Sequence, residues 1–454
     1  EAQSPRASVA GTSHTETSGA AKGVLEAAEL GLNDFVLLAL QRDPEFLSAQ
    51  AQRDAAIETK SQAIAGMLPS ISGSYQQFPN AESRILRQSA LTGNLPWQTS
   101  VYDSTSRSLV FRQPVIRLRN WATLSQSSSQ ADQAEERLKF AGYQATLRAI
   151  NAYCDLLNQI GNQSAAVAKV KAADLKLLQT EKLRQAGQAS QPDVLLAKAD
   201  AEKTRFELEQ SKKELAFVRS MTSELAGRSF EPISLPPIPE QESLYLRFSL
   251  DQLLRESLAK NPEVRALEHA FSVAKLEYRK NIADHFPTID LVAQYVDSTS
   301  SSELLIGTKT KTSTIGLQAT IPIFSGGSVL STTRQAGANI NKAKADLDAS
   351  KLRITNELQR MHQALVSARQ QWVAAKAMVE ATELVLIATD QQRIAGIKNL
   401  VDVEQAKFRL EQAKSDLVQA KSQWLNSNAS ISALSGDLER AYRNELSVLF
   451  FGNL

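Results

Sequence analysis

The sequence predicts a mostly α-helical chain with a small β part, built from two copies of one unit. Residues 32–75 align with residues 250–293 at an offset of 218, and residues 187–227 align with residues 396–436 at an offset of 209. Each copy carries alternating apolar and polar residues, typical of strands, between long uninterrupted stretches typical of helices. Because a repeat decides the architecture, the chain is predicted to be an internal pair.

The repeats divide the chain into five segments. These are a disordered N-terminal tail (1–30), repeat 1 (31–227), a proline-rich linker (228–249), repeat 2 (250–436) and a C-terminal tail (437–454). The N-terminal tail is rich in Ser, Thr, Ala and Glu and has no periodicity, which predicts disorder. It begins with glutamate rather than methionine or cysteine, so we expect a removed secretory signal and no N-terminal lipid anchor.

Both repeats are predicted to follow one order of elements. Repeat 1 holds a helix (33–67), a β-hairpin (about 70–113), a long helix (about 118–185) and a shorter helix (about 193–226). Repeat 2 holds a first helix, a β-hairpin (about 288–323), a long helix (about 327–394) and a shorter helix (about 402–434). Proline interrupts both kinds of element, so the predicted strand–helix junctions are Pro69, Pro114, Pro287, Pro322, Gly326 and Gly327.

The helix lengths predict a rod. A helix of about 68 residues is about 100 Å long, and the two shorter helices of each repeat together match that length. Stacked end to end, the shorter helices would run beside the long one, with the hairpin at one end of the rod and a short turn at the other. Asp193 and Asp402 follow these turns and are residues of the helix N-cap type.

Composition excludes several classes of protein. The 51 basic and 49 acidic residues nearly cancel, and no basic block with interleaved aromatic residues predicts nucleic-acid binding. No phosphate-binding loop, nucleophile motif or metal-ligand spacing is present, so we predict no enzyme activity, no cofactor and no metal site. The single cysteine, Cys154, lies among apolar helical residues and is predicted to be buried.

The strands raise a problem that one chain cannot solve. No apolar run approaches the ~20 residues of a membrane-spanning helix, whereas a membrane β-strand needs only about ten alternating residues. Four strands are too few to close a barrel, and open strand edges invite pairing. The chain is therefore predicted to oligomerise, with strands from several copies closing one tube.

The whole arrangement resembles the TolC family of outer-membrane channels over about residues 31–436. The matching motifs are Asp43-Pro44-Glu45 with Asn261-Pro262-Glu263, the strand-to-helix segment Ile321–Gly327, and two Ala-Gly turns each followed by Asp-Val. The resemblance implies a homotrimer with a twelve-stranded barrel in the outer-membrane lipid and a twelve-helix coiled-coil α-barrel in the periplasm. The linker and the C-terminal tail would lie in an equatorial belt between them.

The same resemblance implies a function. Family members act as exit ducts for proteins (type I secretion) or small molecules (efflux), and dock through a periplasmic adaptor protein onto an inner-membrane ABC or proton-driven pump. The alternative is a soluble periplasmic coiled-coil adaptor or scaffold. Neither the cargo nor the inner-membrane pump can be read from the sequence.

The resemblance also assigns roles at the turns. Asp402 matches the narrowest ring of the pore, but Gln405 stands where a second acidic residue is expected, which leaves strong divalent-cation binding open. Asp193 matches a gate position, with Lys398 and Arg393 as its candidate partners. Gly187 and Gly396 are predicted to adopt left-handed conformations and to lie where an adaptor docks. The alternative reading is that Asp193 and Asp402 only cap helices.

Overall fold

The computed structural model describes residues 28–85, 88–89, 93–94, 97–235, 238, 249–301 and 307–438. Most of the second half of the linker and nearly all of the C-terminal tail lie outside the described residues. Residues 1–27, which were predicted to be disordered, also lie outside them. The described chain is mostly helical with a small sheet part, which confirms that part of the predicted fold class.

Eight helices carry the described part of the chain. Repeat 1 contains α1 (Leu32–Arg42), α2 (Pro44–Ala65), α3 (Leu118–Gln185) and α4 (Gln191–Ala226). Repeat 2 contains α5 (Leu250–Lys260), α6 (Pro262–Ala283), α7 (Ser328–Ile394) and α8 (Leu400–Ser435). Among the described residues, no helix is both long enough and apolar enough to cross a membrane.

The prediction of one helix over residues 33–67 was wrong, because two helices meet there. Residues before proline avoid the helical region, and Asp43 adopts an extended conformation with ψ 115°. Its side chain then accepts a hydrogen bond from the Phe46 amide at 2.8 Å and caps α2. Asn261 plays the same part in repeat 2, ending α5 and capping α6.

The predicted hairpins of both repeats join in one four-stranded antiparallel sheet. The strands are β1 (Ala28–Leu30), β2 (Ser70–Ile85), β3 (Gln88–Ser89), β4 (Gly93–Asn94), β5 (Gln98–Ile116), β6 (Phe230–Pro232), β7 (Thr288–Ser300) and β8 (Thr308–Thr320). Four of them pair in the order β2-β5-β7-β8, so the hairpins meet at β5 and β7. Pro114 does not end its strand as predicted: β5 continues to Ile116 through a register shift, since proline is tolerated at a bulge.

The sheet has one apolar and one polar face. Directly paired residues share a face. One paired row runs Ile71, Phe111, Ala293 and Ile315, and the next runs Ser72, Val110, Gln294 and Thr314. Leu109, Leu291 and Leu317 lie two residues away from the first row and join the apolar face. A helix or core that would cover this apolar face is absent from the described chain, and Ile315 and Leu317 are largely exposed.

The helices form one layer that is open on both sides. Near the turns, α3 packs between α4 and α8, and α7 packs on the far side of α8. Near the sheet, α3 packs between α2 and α6, and α7 packs on the far side of α6. One edge of the layer is therefore α2 and α4, and the other edge is α7. The edge strands β2 and β8 continue directly from α2 and into α7, so sheet and helices are open on the same two sides.

The apolar core lies at the middle of the long helices. Phe35, Tyr153 and Phe230 pack with ring centroids 5.4–6.4 Å apart. The Tyr153 hydroxyl lies 2.8 Å from the Leu30 carbonyl oxygen and 2.7 Å from that of Ile233, which holds β1 against β6 in parallel pairing. The prediction of a disordered tail reaching residue 30 was therefore wrong at its last three residues.

Cys154 is next to this core, as predicted. Its side chain is fully buried, and burial raises the pKa of the thiol to about 12 even though Ser422 provides a hydrogen bond. A thiol with so high a pKa stays protonated and unreactive.

Candidate functional site at the helical turns

The turn between α3 and α4 is closed by two hydrogen bonds that require a left-handed residue. The Gly187 amide donates to the Arg184 carbonyl at 2.9 Å and the Gln188 amide to the Leu183 carbonyl at 2.8 Å. Gly187 has φ 73°, a conformation that glycine adopts without steric cost. This arrangement ends the helix within one residue and exposes the turn.

The turn between α7 and α8 repeats the same geometry. The Gly396 amide donates to the Arg393 carbonyl at 3.0 Å and the Ile397 amide to the Gln392 carbonyl at 2.9 Å. Gly396 has φ 76°. The predicted left-handed conformation of Gly187 and Gly396 is thus present in both turns.

Asp193 and Asp402 are not the N-cap residues that the sequence predicted. The caps are Ser190 and Asn399, and each Asp lies three residues later, in a reciprocal capping box. The Ser190 and Asn399 amides donate to the Asp193 and Asp402 carboxylates at 2.9 and 3.0 Å. Hydrogen bonds from the Ser190 hydroxyl and amide lower the pKa of Asp193, so this carboxylate is ionised at neutral pH.

The chain by itself does not bring the three proposed gate residues together. Asp193 lies on α4 and Arg393 on α7, at opposite edges of the helical layer. Arg393 instead pairs with Asp390 on its own helix at 2.9 Å. Lys398 is exposed in the second turn. A link between Asp193 and Arg393 therefore requires a neighbouring copy.

Asp402 and Gln405 lie about one turn apart on α8, and both are half-buried. Glu404 lies between them on α8 and was not predicted as a site residue. It is buried and forms ion pairs with two lysines. Its carboxylate accepts a hydrogen bond from Lys407 at 2.9 Å and faces Lys171 of α3 at 3.3 Å. Burial opposes ionisation, but the hydrogen bonds from Lys407 and Lys171 prevail, and the pKa of Glu404 is lowered. The spacing of Glu404 and Lys407, three apart on a helix, was the available signal.

Large apolar side chains next to both turns are exposed. They are Leu195, Leu196, Ile394, Ile397 and Leu400, and Ile397 and Ile394 are each more than 70% exposed. Contiguous exposed apolar residues mark interaction sites. The turns therefore combine a rigid backbone, two acidic side chains and an apolar surface.

At the other end of the helices, an ion pair between the two repeats joins two of the strand–helix junctions. Pro69 and Pro287 separate α2 and α6 from the strands that follow. The Arg117 guanidinium donates to both Asp290 oxygens at 2.8 and 2.5 Å, and Asp290 is 5% exposed. A paired, buried carboxylate of this kind fixes the position of the strands on the helices.

Among the described residues, none forms a comparable ion pair at the junction before α7. β8 ends at Thr320, before Pro322. Gly326 and Gly327 both have positive φ, 62° and 78°, and in the described part of the chain nothing lies within 4 Å of a Cβ built at either position. The preceding Ile323 and Phe324 are almost fully exposed.

The sheet has one apolar face and is open on the same two sides as the helical layer below it, an arrangement that is consistent with one chain of a channel. Residues 36–216 and 253–437 match the family described as outer membrane efflux protein. The chain belongs to this family of outer-membrane channels. This membership confirms the predicted resemblance, decides against the soluble adaptor, and agrees with the prediction that the chain is a transport protein rather than an enzyme.

Named relatives and solved structures agree with the family. The chain is 27% identical to the proteases secretion protein PrtF of Dickeya chrysanthemi over 341 residues, covering 74% of this chain and 72% of PrtF. It is 27% identical to the alkaline protease secretion protein AprF of Pseudomonas aeruginosa over 351 residues, covering 74% and 70%. The fold is similar to the Campylobacter jejuni CmeC outer membrane channel, with TM-score 0.71, 17% identity and coverage of 92% and 89%. The outer membrane protein VceC of Vibrio cholerae gives TM-score 0.69, 20% identity and coverage of 90% and 96%.

Proposed function

We propose that three copies of the chain form one export duct through the outer membrane, with twelve strands closing a barrel in the lipid and the helices enclosing a periplasmic tunnel. The observation that supports this most is that each edge strand continues into, or from, an edge helix. A head-to-tail interface between the two open sides can repeat until the ring closes. The apolar face of the sheet then meets lipid and the Ser- and Thr-rich face lines the lumen.

Asp402 is proposed to form the narrowest ring of this duct, with Gln405 one turn further along α8. Three Asp402 carboxylates around the axis attract cations and repel each other. Asp193, Lys398 and Arg393 are proposed to link neighbouring copies at the closed end. An exposed ion pair contributes at most about 1 kcal/mol, so such a gate would depend on several links.

The turns around Gly187 and Gly396 are proposed as the docking surface of a periplasmic adaptor, which couples the duct to an inner-membrane ABC or proton-driven pump. The apolar residues exposed beside both turns support this proposal. Protein is the cargo to test first, because two relatives at 27% identity carry protein-secretion names.

Single-channel recording in planar bilayers tests the ring. Asp402→Asn removes the charge and keeps an oxygen that can accept the capping hydrogen bond from Asn399. At about 8 Å in water each carboxylate attracts a divalent cation by about 1 kcal/mol, so losing three weakens divalent block by about one to two orders of magnitude. Conductance to monovalent ions should rise. Asp416→Asn, on the same helix and about 21 Å away along it, is the control.

Two outcomes would contradict parts of the proposal. Equal block in the Asp402→Asn, Asp416→Asn and unmodified channels would remove Asp402 from the constriction. The absence of any channel activity in bilayers, from protein that is folded and inserted, would contradict the duct itself.

A further inference from the structure

The two repeats define two related seams between a long helix and the shorter helices of the other repeat. One seam lies within the chain, where α3 of repeat 1 packs against α6 and α8 of repeat 2. The equivalent seam joins α7 of repeat 2 to α2 and α4 of repeat 1. Within one chain these helices lie at opposite edges of the layer, so a second copy must supply one side.

Several polar pairs hold the seam within the chain. Lys171–Glu404 and Glu136–Arg265 are ion pairs at 3.3 Å, while Ser164–Glu411 and Asn162–Ser415 are hydrogen bonds at 2.9 Å. Glu136, Glu404 and Ser415 are buried. Folding of a single chain forms all four pairs.

The repeat offsets identify the residues that are equivalent to these pairs on the two open edges of the layer. Helices α3 and α4 correspond to α7 and α8 at an offset of 209, and α2 corresponds to α6 at an offset of 218. The equivalent pairs are Glu380 with Leu195, Ala345 with Leu47, Val373 with Glu202, and Gln371 with Phe206. One member of each is a large apolar residue, and these four are exposed: Leu47 46%, Val373 55%, Leu195 56% and Phe206 69%.

We propose that this apolar face of α2 and α4 packs against α7 of a second copy of the chain, with Phe206 of one copy beside Gln371 of the next. The inference rests on the proposed assembly and adds to it the register and the chemistry of the contact. A groove of about 640 Å³ runs along α7 at this level, lined in part by Val366, Gln370 and Val373. It offers the Phe206 ring an apolar surface.

The seam within the chain is polar and the seam between copies is more apolar, and this difference can be explained by how each seam forms. The seam within the chain forms during folding, where buried ion pairs fix the register of the helices. The seam between copies forms by association, which apolar side chains favour. Of its eight transferred residues only Glu202 and Glu380 are charged, against five of the eight equivalent residues within the chain. Two other pairs do not follow the pattern. Asn158–Ser422, a hydrogen bond of 3.1 Å, maps to Ser367 and Lys213, and Gln126–Glu277, a hydrogen bond of 2.7 Å, maps to Gln335 and Thr59.

The two seams also differ in width. Gly161 lets α3 approach α8 closely, since a Cβ there would lie 3.1 Å from the Ser415 hydroxyl. The equivalent residues are Gln370 and Phe206, and both are large. The seam between copies is therefore wider at this level than the seam within the chain.

Cysteine cross-linking of the full chain in outer membranes tests the register. Phe206 and Gln371 are equivalent to Ser415 and Asn162, whose side chains are 2.9 Å apart in the seam within the chain. Cysteine at both positions removes the large side chains that widen the seam between copies, so the double variant Phe206→Cys with Gln371→Cys should form disulfides under a copper–phenanthroline oxidant. Non-reducing gels should show linked dimers and trimers at several times the yield of either single variant. The native Cys154 is fully buried. The control is Phe217→Cys with Gln371→Cys, which moves the thiol about 16 Å along α4 and should give no linkage.

The remaining outcomes separate this inference from the assembly itself. Linkage in the control but not in the test variant would overturn the register. Absent linkage in a particle that still contains three chains would overturn the proposed contact and leave the duct intact. Absent linkage in a single-chain particle would overturn both. Linkage to a different protein would assign the face to an adaptor and overturn the inference.

Discussion

Replacing Gly436 with alanine should destabilise the protein far more than the same change at Gly396. Both glycines end a helix in the same motif, with φ 74° and 76°, so both substitutions carry the left-handed strain of about 1–2 kcal/mol. Their surroundings differ. A Cβ at Gly436 would lie 2.6 Å from the Lys260 carbonyl oxygen and 2.8 Å from its carbon, while a Cβ at Gly396 would have no atom of the described residues within 4 Å.

The clash at Gly436 involves backbone and cannot be relieved by a side-chain rotation. Overpacking of this kind costs about 1–3 kcal/mol. Separating α8 from α5 and α6 would also stretch the hydrogen bonds that Ser257 and Asn261 donate to the Leu434 carbonyl at 2.6 and 3.0 Å. The expected destabilisation is therefore about 2–5 kcal/mol for Gly436→Ala against about 1–2 kcal/mol for Gly396→Ala.

Gly227 also ends a helix in a left-handed conformation and gives a third comparison. It has φ 70°, and a Cβ there would overlap the Arg42 guanidinium, which can move aside. Thermal unfolding followed by far-UV circular dichroism should rank the losses in melting temperature as Gly436→Ala largest, then Gly227→Ala, then Gly396→Ala. Equal losses for Gly436→Ala and Gly396→Ala would refute the reasoning, because only the contact with Lys260 distinguishes them.

Three further predictions concern charge and burial. Asp43→Ala removes the α2 cap and two hydrogen bonds from Arg148, so the melting temperature should fall by the equivalent of about 2 kcal/mol; an equal fall for the exposed Glu45→Ala would contradict this. The folded-state pKa of Glu404 is below its ordinary 4.5, so its stabilisation is present above about pH 4.5 and is lost as pH falls through the folded-state value. The free energy of unfolding, measured against pH, should be higher for the wild type than for Glu404→Gln at neutral pH, and this difference should disappear in acid. A difference that does not change with pH would contradict the prediction. Cys154 should react with maleimide only after denaturation, because its thiol is buried; labelling of the native protein would show that the helices open there.

The long helices and the hairpins could be predicted because their signals are local and repeated. Leu118–Gln185 contains no proline, and residues 314–320 of the strand Thr308–Thr320 alternate between polar and apolar side chains except at Gly316. The break at Asp43-Pro44 carried an equally local signal, a proline preceded by a capping residue, and was missed because the apolar pattern continues across it.

Pairings between distant segments could not be read from the sequence. The contact of β1 with β6 joins residues about 200 apart, and neither three-residue strand has a pattern of its own. The Arg117–Asp290 pair likewise joins two repeats, and no spacing rule relates its members. At the turns, Ser190 and Asn399 displaced Asp193 and Asp402 as caps because a capping box uses both residues.

The number of chains in the purified particle tests the central claim most directly. Both sides of the subunit are open, so the claim is that several copies are needed to complete the duct. Native mass spectrometry of the protein released from outer membranes in mild detergent should give three chains per particle. A folded particle of one chain, stable in buffer without detergent or lipid, would contradict the claim.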